Sequence, residues 1–263
     1  EHLRRLVEDE IPYYHVEKRY YHRDGYVVWA LLCVSIVRDG RGYPLYFVSQ
    51  IEDITERKRA EALAKDKEAA QKLTKVDYIL ITHGHGDHVG ETVAVAQKTG
   101  APVEAIHELS VILAGQGAPQ TIGMNKGGTT PVAGLKITMT HAVHSSAVNE
   151  GGKFIAAGDP GGFVVEFGNG FVVYHAGDTA AFKDMELIRE LYRPELAMLP
   201  IGSHYVMSPA EAALACRLLK PRWVIPMHYG TFPVLTGTPE ELMERLKGED
   251  ITVIALKPGE TVD

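Results

Sequence analysis

Residues 83–88 read His-Gly-His-Gly-Asp-His, so His83, His85, Asp87 and His88, all able to ligate a metal, fall within one short loop. The loop follows directly on the apolar run VDYILIT, which reads as a buried strand. A strand end holds such a loop rigidly, and the glycines let the backbone turn tightly enough for the side chains to converge. Two imidazoles on one side and an Asp-His pair on the other can serve two adjacent metals. A lone histidine is more often a satisfied structural residue than a ligand, but this density of ligand-type groups after a strand outweighs coincidence.

Of the 12 histidines, nine lie from His83 onward, mostly at strand ends beside Gly, Asp or Ser. His141 and His144 occur in THAVHSS, His175 and Asp178 in YHAGDT, His204 in PIGSHYVM, and His228 in IPMHYGTF. On a strand, the odd separation of His141 and His144 points them to opposite faces, so only one is expected to be a ligand. His204, in a loop after a strand end, is placed to hydrogen-bond a substrate or protonate a leaving group. Tyr229 and Thr231, beside His228, are candidates for a pocket wall, with loop packing as their default role.

THGHGDHVG resembles the signature loop of the metallo-β-lactamase superfamily, and the four later blocks resemble its remaining ligand motifs in the expected order. Together they look like the branch of metal-dependent hydrolases related to L-ascorbate-6-phosphate lactonase. The match runs from about residue 75 to the end. The resemblance implies an α/β (α+β) fold, a four-layer αββα sandwich with metals at one end of its two sheets. It implies that His83, His85 and His144 hold one metal and that Asp87, His88 and His228 hold the other. Asp178 would bridge them with a hydroxide, His141 would be a surface or supporting residue, and His175 would orient Asp178 or simply pack. Imidazole and carboxylate donors suit two divalent ions, zinc first and manganese or iron as alternatives. Two such ions bring a shared water to hydroxide near neutral pH.

The elements that must position these residues are legible from Val76 onward as short apolar runs alternating with capped helices, the texture of layered sheets and helices. GETVAVAQKTG reads as a helix ending at Gly100, and APVEAIH as the next strand. FVVEF and FVVYH flank Gly168-Asn169-Gly170, a hairpin signal. Ser208-Pro209-Ala210-Glu211 and Thr238-Pro239-Glu240-Glu241 read as capping boxes, each opening a helix followed by a strand, WVIPMHY and ITVIAL.

The front of the chain has a different texture. Residues 13–52 read as three strands, separated by the turn signals Arg23-Asp24-Gly25 and Arg38-Asp39-Gly40-Arg41-Gly42, hence an antiparallel meander. Asp53-Ile-Thr-Glu56 has capping-box spacing and opens a charged helix to about Leu73, whose only large apolar residues are Leu63 and Leu73. VEKRYYHRDGYVVW, VRDGRG and DITERKRAE resemble the end of a PAS sensor domain and its linker, covering only the last three strands of that fold. The expected organisation is therefore a partial PAS-like meander over residues 1–54, a connecting helix over 55–74 and a hydrolase domain over 75–263. Related hydrolases begin with strands that have no counterpart here, so the PAS-like strands are expected to replace them by pairing with the exposed sheet in a fusion protein. Dimerisation by strand or helix exchange is the accompanying expectation.

Composition bounds the function. Apolar content of 45% and charged content of 23% are those of a folded globular protein, with neither disordered nor fibrous character. A formal charge of −7 argues against a nucleic-acid backbone as the main partner. Cys33 and Cys216 form neither a disulfide framework nor a zinc motif, which agrees with a reducing cytoplasm. No apolar run reaches the roughly 18 residues of a membrane helix, and EHLRRLVEDE lacks the apolar middle of a secretory signal. The expected activity is hydrolysis of a small-molecule ester, with phosphoesters first, lactones or carboxylic esters second and β-lactams third. Asp87 and His204 are the expected catalytic positions. The competing expectation is a sensory or scaffold protein with a vestigial hydrolase half.

Overall fold

Consecutive residues of a strand point to opposite faces, and Phe163 and Val164 are both buried, each in a different apolar core. A strand covered on both sides implies a layered architecture, and the computed structural model, which describes residues 1–23 and 27–262, has one. The chain divides into two units: Glu1–Lys65 with Thr231–Thr236, and Asp66–Gly230 with Gly237–Asp263.

The first unit contains α1 (His2–Val7), β1 (Tyr13–Tyr21), β2 (Val27–Arg38) and β3 (Pro44–Asp53), an antiparallel sheet in the order β1-β2-β3. At the second expected turn, Asp39 Oδ1 accepts from the N–H groups of Arg41 and Tyr43, both at 2.9 Å. Asp24 and Gly25 of the first expected turn lie outside the described residues. The N–H of Thr55 donates to Asp53 Oδ1 at 2.9 Å, opening α2 (Thr55–Lys72). The expected pairing of this meander with the hydrolase sheets is not made: among the described residues, β1, β2 and β3 share ladders only with one another. Short connections make their mutual pairing local, whereas pairing with a distant edge must first close a long loop.

The second unit runs β4 (Ile79–Leu80), α3 (Gly86–Val89), α4 (Thr92–Thr99), β5 (Val103–Ile106), α5 (His107–Gly115), β6 (Thr121–Met124), β7 (Thr129–Val132), β8 (Leu135–His141), β9 (Ala147–Glu150), β10 (Lys153–Ala156), β11 (Gly161–Glu166) and β12 (Val172–His175). It continues with α6 (Met185–Tyr192), β13 (Leu196–Pro200), α7 (Pro209–Leu219), β14 (Trp223–Met227), α8 (Pro239–Arg245) and β15 (Thr252–Val253). A large sheet has the order β15-β14-β13-β12-β11-β8-β7, a small parallel sheet the order β4-β5-β6, and β9 and β10 form a separate hairpin. One core joins Val103 and Ala105 of β5, Ile137 and Met139 of β8 and Phe163 of β11 to Ala96, Leu109 and Leu113 of α4 and α5. The other joins Val164, Tyr174, Leu199 and Val224 to α6, α7 and α8. Helices, small sheet, large sheet and helices therefore stack in the αββα order.

Local signals place the helices. Ser208 and Glu211 form the full reciprocal capping box at the start of α7, and Thr238 Oγ1 accepts from the Glu241 N–H at the start of α8. Gly100, in the left-handed region at φ 74, closes α4 through its N–H to the Ala96 carbonyl. The strand expected over VDYILIT has a ladder of only two residues, Ile79 and Leu80, paired with Val103 and Glu104 of β5.

Strand direction decides where the loops go. β8 and β12 are both antiparallel to β11, so they run the same way, and β13 and β14 continue parallel to β12. The C-terminal ends of β8, β12 and β14 therefore lie along one border of the large sheet, which is where loops carrying function collect in parallel sheets. No described helix is long and apolar enough to cross a membrane.

Candidate metal centre

The loops leaving β4, β8, β12 and β14 carry His83, His144, Asp178 and His228 to that border. Thr82 ties the first loop to the large sheet by accepting the Gly161 N–H at 2.9 Å. Gly84 sits tightly between His83 and His85: its N–H donates to Ser146 Oγ at 3.1 Å, and an added Cβ would lie 2.7 Å from the Ala157 Cβ. The absence of a side chain at Gly84 is what lets the two histidines approach the segment that carries His144.

Asp178 is buried, and its Oδ2 faces imidazole nitrogens from four directions. Nε2 of His228 is 3.2 Å away, of His88 3.3 Å, of His144 3.6 Å and of His83 4.0 Å. Asp87 Oδ2 lies 3.4 Å from His228 Nε2 and 3.6 Å from His88 Nε2. His83 Nε2 and His85 Nδ1 are 3.0 Å apart. Donor atoms converge in three groups: His83, His85 and His144; His83, His88 and Asp178; and Asp87, His88 and His228. The structure thus brings all seven of these residues to one place.

Electrostatics favour neutral imidazoles at His83 and His144 and ionised carboxylates at Asp87 and Asp178, the states a cation needs. Burial drives the His83 imidazole down to about 3, and the neighbouring His88 adds to that. Burial likewise lowers His144. For Asp178, burial alone would raise the carboxyl, but the facing imidazoles of His88, His228 and His83 outweigh it and hold it below the ordinary range. The His228 hydrogen bond holds Asp87 well below the usual carboxylate value. Burial works against charge on His228 too, and is outweighed there by Asp87 and Asp178, which raise it. Neutral imidazoles beside ionised carboxylates are a divalent ion's donor set. His88 Nε2 and Asp178 Oδ1 are buried with no hydrogen-bond partner, a costly arrangement that a cation or its bound waters would relieve.

The other expected residues stand apart; among the described residues, no group of converging donors includes His141, His175 or His204. His141 is exposed at the end of β8, packs edge-on against Phe182 and lies 3.4 Å from Lys126 Nζ. The strand stops there, so the bend over 142–146, and not strand alternation, separates its role from that of His144. His175 Nδ1 accepts the Gly177 N–H at 3.1 Å, so the ring braces the turn before Asp178 and touches no carboxylate oxygen through that nitrogen. Burial lowers His175 to about 4. His204 is exposed and packs edge-on against Tyr205. Tyr229 packs against the α6–α8 core, while Thr231 belongs to the first unit and is exposed.

Supporting residues that sequence reasoning passed over are Thr82, Ser145, Ser146 and Thr179. Thr82 Oγ1 is 3.1 Å from His83 Nδ1, and Ser145 Oγ is 3.4 Å from His85 Nε2. Thr179 Oγ1 accepts the Val143 N–H at 2.9 Å, joining the His144 and Asp178 loops. Their only signal in the sequence is adjacency to a ligand-type residue, which many inert hydroxyls share.

Comparison with known proteins agrees with this picture. The family described as a β-lactamase superfamily domain matches residues 53–229, starting at the last residue of β3. A protein of Rubrobacter xylanophilus, named a UPF0173 metal-dependent hydrolase, is 52% identical over 204 residues, covering 75% of this chain and 84% of its own. A Methanopyrus kandleri protein of the same name is 47% identical, with 76% and 89% covered. Among solved structures, Igni18, a metallo hydrolase from Ignicoccus hospitalis, superposes with a TM-score of 0.66 at 32% identity, covering 94% of this chain and 97% of its own.

Proposed function

Because this chain belongs to the metallo-β-lactamase superfamily, among its UPF0173 metal-dependent hydrolases, we propose that it cleaves small-molecule phosphoesters at a centre built for two divalent cations. One observation carries the reading: a single buried carboxylate oxygen, Asp178 Oδ2, lies within 4.0 Å of imidazole nitrogens from both sets of donors. His83, His85 and His144 would hold one cation, Asp87, His88 and His228 the other, and Asp178 would be shared. When bound, the cations, zinc by donor type with manganese or iron as alternatives, supply water activation and neutralise charge developing on the ester.

The protein's own residues do the positioning. With Nε2 of His83 turned to the centre, its Nδ1–H donates to Thr82 Oγ1, which fixes the ring's tautomer and orientation. His204 is assigned to protonating the departing alkoxide. Its loop is anchored at both ends beside ligands, with the Ile201 N–H on the Met227 carbonyl and the Met207 N–H on the Thr179 carbonyl. Between those anchors Ser203 and His204 are both held at positive φ, 67° and 56°, a backbone strain of the kind found at working sites. The PAS-like strands supply none of the seven donors and are read as an appendage to this chemistry.

Lactones and carboxylic esters are the second reading, since the same donors would polarise either electrophile. Metal analysis with a panel of phosphodiesters, phosphotriesters, lactones and β-lactams tests both. The expected result is close to two divalent ions per chain and fastest turnover of a phosphoester. Fastest turnover of a lactone replaces the first reading with the second, and less than one tightly bound ion per chain favours a scaffold without catalysis.

A further inference from the structure

The first unit supplies none of the seven donors, yet it contains a segment, Thr231–Thr236, that begins three residues after the donor His228. The chain leaves the second unit after Gly230 and re-enters it at Gly237. Exit and return are both fixed. The carbonyl of Met227, next to His228, accepts the Ile201 N–H at 3.0 Å, and the Gly237 N–H donates to the Gly202 carbonyl at 3.3 Å. A Cβ on Gly237 would overlap the Ile201 carbonyl oxygen, so only glycine fits at the return.

The middle of this excursion is taken up by β2. On the edge of β2 that faces β3, hydrogen-bonding positions recur at every second residue. At Trp29 the carbonyl accepts the Ile54 N–H at 2.8 Å and the N–H donates to Thr55 Oγ1 at 3.1 Å, where β3 gives way to α2. Val27 is the next position on that edge, beyond the end of β3, and its N–H donates to the Pro233 carbonyl at 3.0 Å. Pro233 thus takes the place that β3 vacates. Leu235, two residues on, is 3% exposed and belongs to neither hydrolase core. His228 needs such a hold, because its positive φ of 55° is a conformation that persists only where the surrounding chain over-determines it. β14 fixes the chain before His228, and the excursion fixes it after.

We infer that the first unit positions the ligand His228, with Val27 and Leu235 as positioning residues that act through the 231–236 segment. The inference rests on the two-cation reading and deepens it: the cation of Asp87, His88 and His228 depends on the first unit for its affinity. His83, His85 and His144 lie on other loops, so the cation they hold is indifferent to that unit.

Zinc titration of the metal-free full chain tests it. Wild type should bind two ions. Val27→Pro removes the N–H at the first position of a strand, where proline is tolerated, and Leu235→Ala loosens the segment from its seat. Each should weaken one zinc ion about tenfold and leave the other within about twofold of wild type, and Leu235→Met should restore both. Coupling is reciprocal, so zinc must in turn strengthen the Val27–Pro233 hydrogen bond. In the unsubstituted protein, amide exchange at Val27 should slow about tenfold on zinc loading, relative to Val34 of the same strand. This measurement needs no variant and decides the matter where a substituted chain fails to fold. Equal weakening of both ions, unchanged affinities in folded variants, or Val27 exchange that zinc leaves unaltered overturns the inference and leaves the two-cation reading standing. Fewer than two zinc ions in wild type overturns both.

Discussion

Oδ2 of Asp178 lies 3.2 Å from Nε2 of His228, although the two residues leave different strands, β12 and β14, with β13 between them. Two strand spacings amount to about 10 Å, so the contact is made by the loops turning inward over the sheet border. His228 turns in at a positive φ of 55°, a conformation that places its side chain where a regular strand continuation would not. The donor sets share Asp178 for this reason, and the first prediction follows from it.

Asp178→Ala should remove the shared oxygen and leave both sets of donors without their common partner. The expected outcome is loss of about a thousandfold or more in kcat/KM together with loss of most bound metal. Asp87→Ala and His228→Ala should also abolish turnover while leaving the circular-dichroism spectrum nearly unchanged, because Asp87 is exposed on the short helix α3, His228 follows the end of β14, and both lie outside the two cores. Full activity in any of these variants would remove the assigned roles.

Chelation should abolish activity and lower thermal stability together. A ligand present at about 100 times its Kd stabilises a fold by about 2.7 kcal/mol, which corresponds to roughly 5–10 °C in Tm for a domain of this size. Differential scanning calorimetry before and after chelation, and after addition of zinc, measures it. An unchanged Tm alongside complete metal loss would mean that the seven residues are held in place without help from a cation.

Acidification should destabilise the metal-free protein. The unfolded chain takes a proton on each histidine near 6.5, whereas the folded chain refuses one at His83 until about 3 and at His175 until about 4. Folded pKa values below the unfolded ones mean that this stability is complete above about 6.5 and is lost as pH falls through the window toward 3–4. His144 acts in the same direction, and the raised His228 opposes it. Urea midpoints of the metal-free protein should fall between pH 7 and pH 5, and His83→Gln should flatten that slope. A steeper slope in the variant would contradict the burial argument.

Gly84→Ala should weaken metal binding without unfolding the chain. The new Cβ would lie 2.7 Å from the Ala157 Cβ, 3.1 Å from Val148 Cγ2 and 3.2 Å from the Ala147 backbone, so the His83–His85 loop must shift. Adding Ala157→Gly removes the closest of these contacts and should restore part of the affinity. Zinc titration of the two variants decides, and equal affinities in the single and double variants would show that the Ala157 contact is not what limits the loop.

His204→Gln tests a residue whose role rests on loop strain and anchoring. Its expected effect is a fall in kcat of about a hundredfold with metal content unchanged, recovered in part with substrates whose leaving alcohols need no proton. A drop in metal content instead would place His204 among structural supports of the Asp178 and His228 loops.

The chemistry of this protein is written locally. A run such as HGHGDH after an apolar strand determines donor types and their rough direction, because strand, turn and side chains all lie within a few residues. The same holds for the Ser208 capping box, the Gly100 helix end and the Asn169 hairpin turn, each set by hydrogen bonds to near neighbours. What had to wait for the tertiary structure was every relationship that crosses the sheet. That His144 joins the centre while His141 packs on Phe182 is decided by where β8 stops. That Asp178 faces four imidazoles is decided by strand order. That the front meander pairs within itself is decided by competition between local and distant ladders. Sheet order and loop curvature come from the sum of many weak contacts among residues far apart in the chain, and no short window of sequence contains that sum.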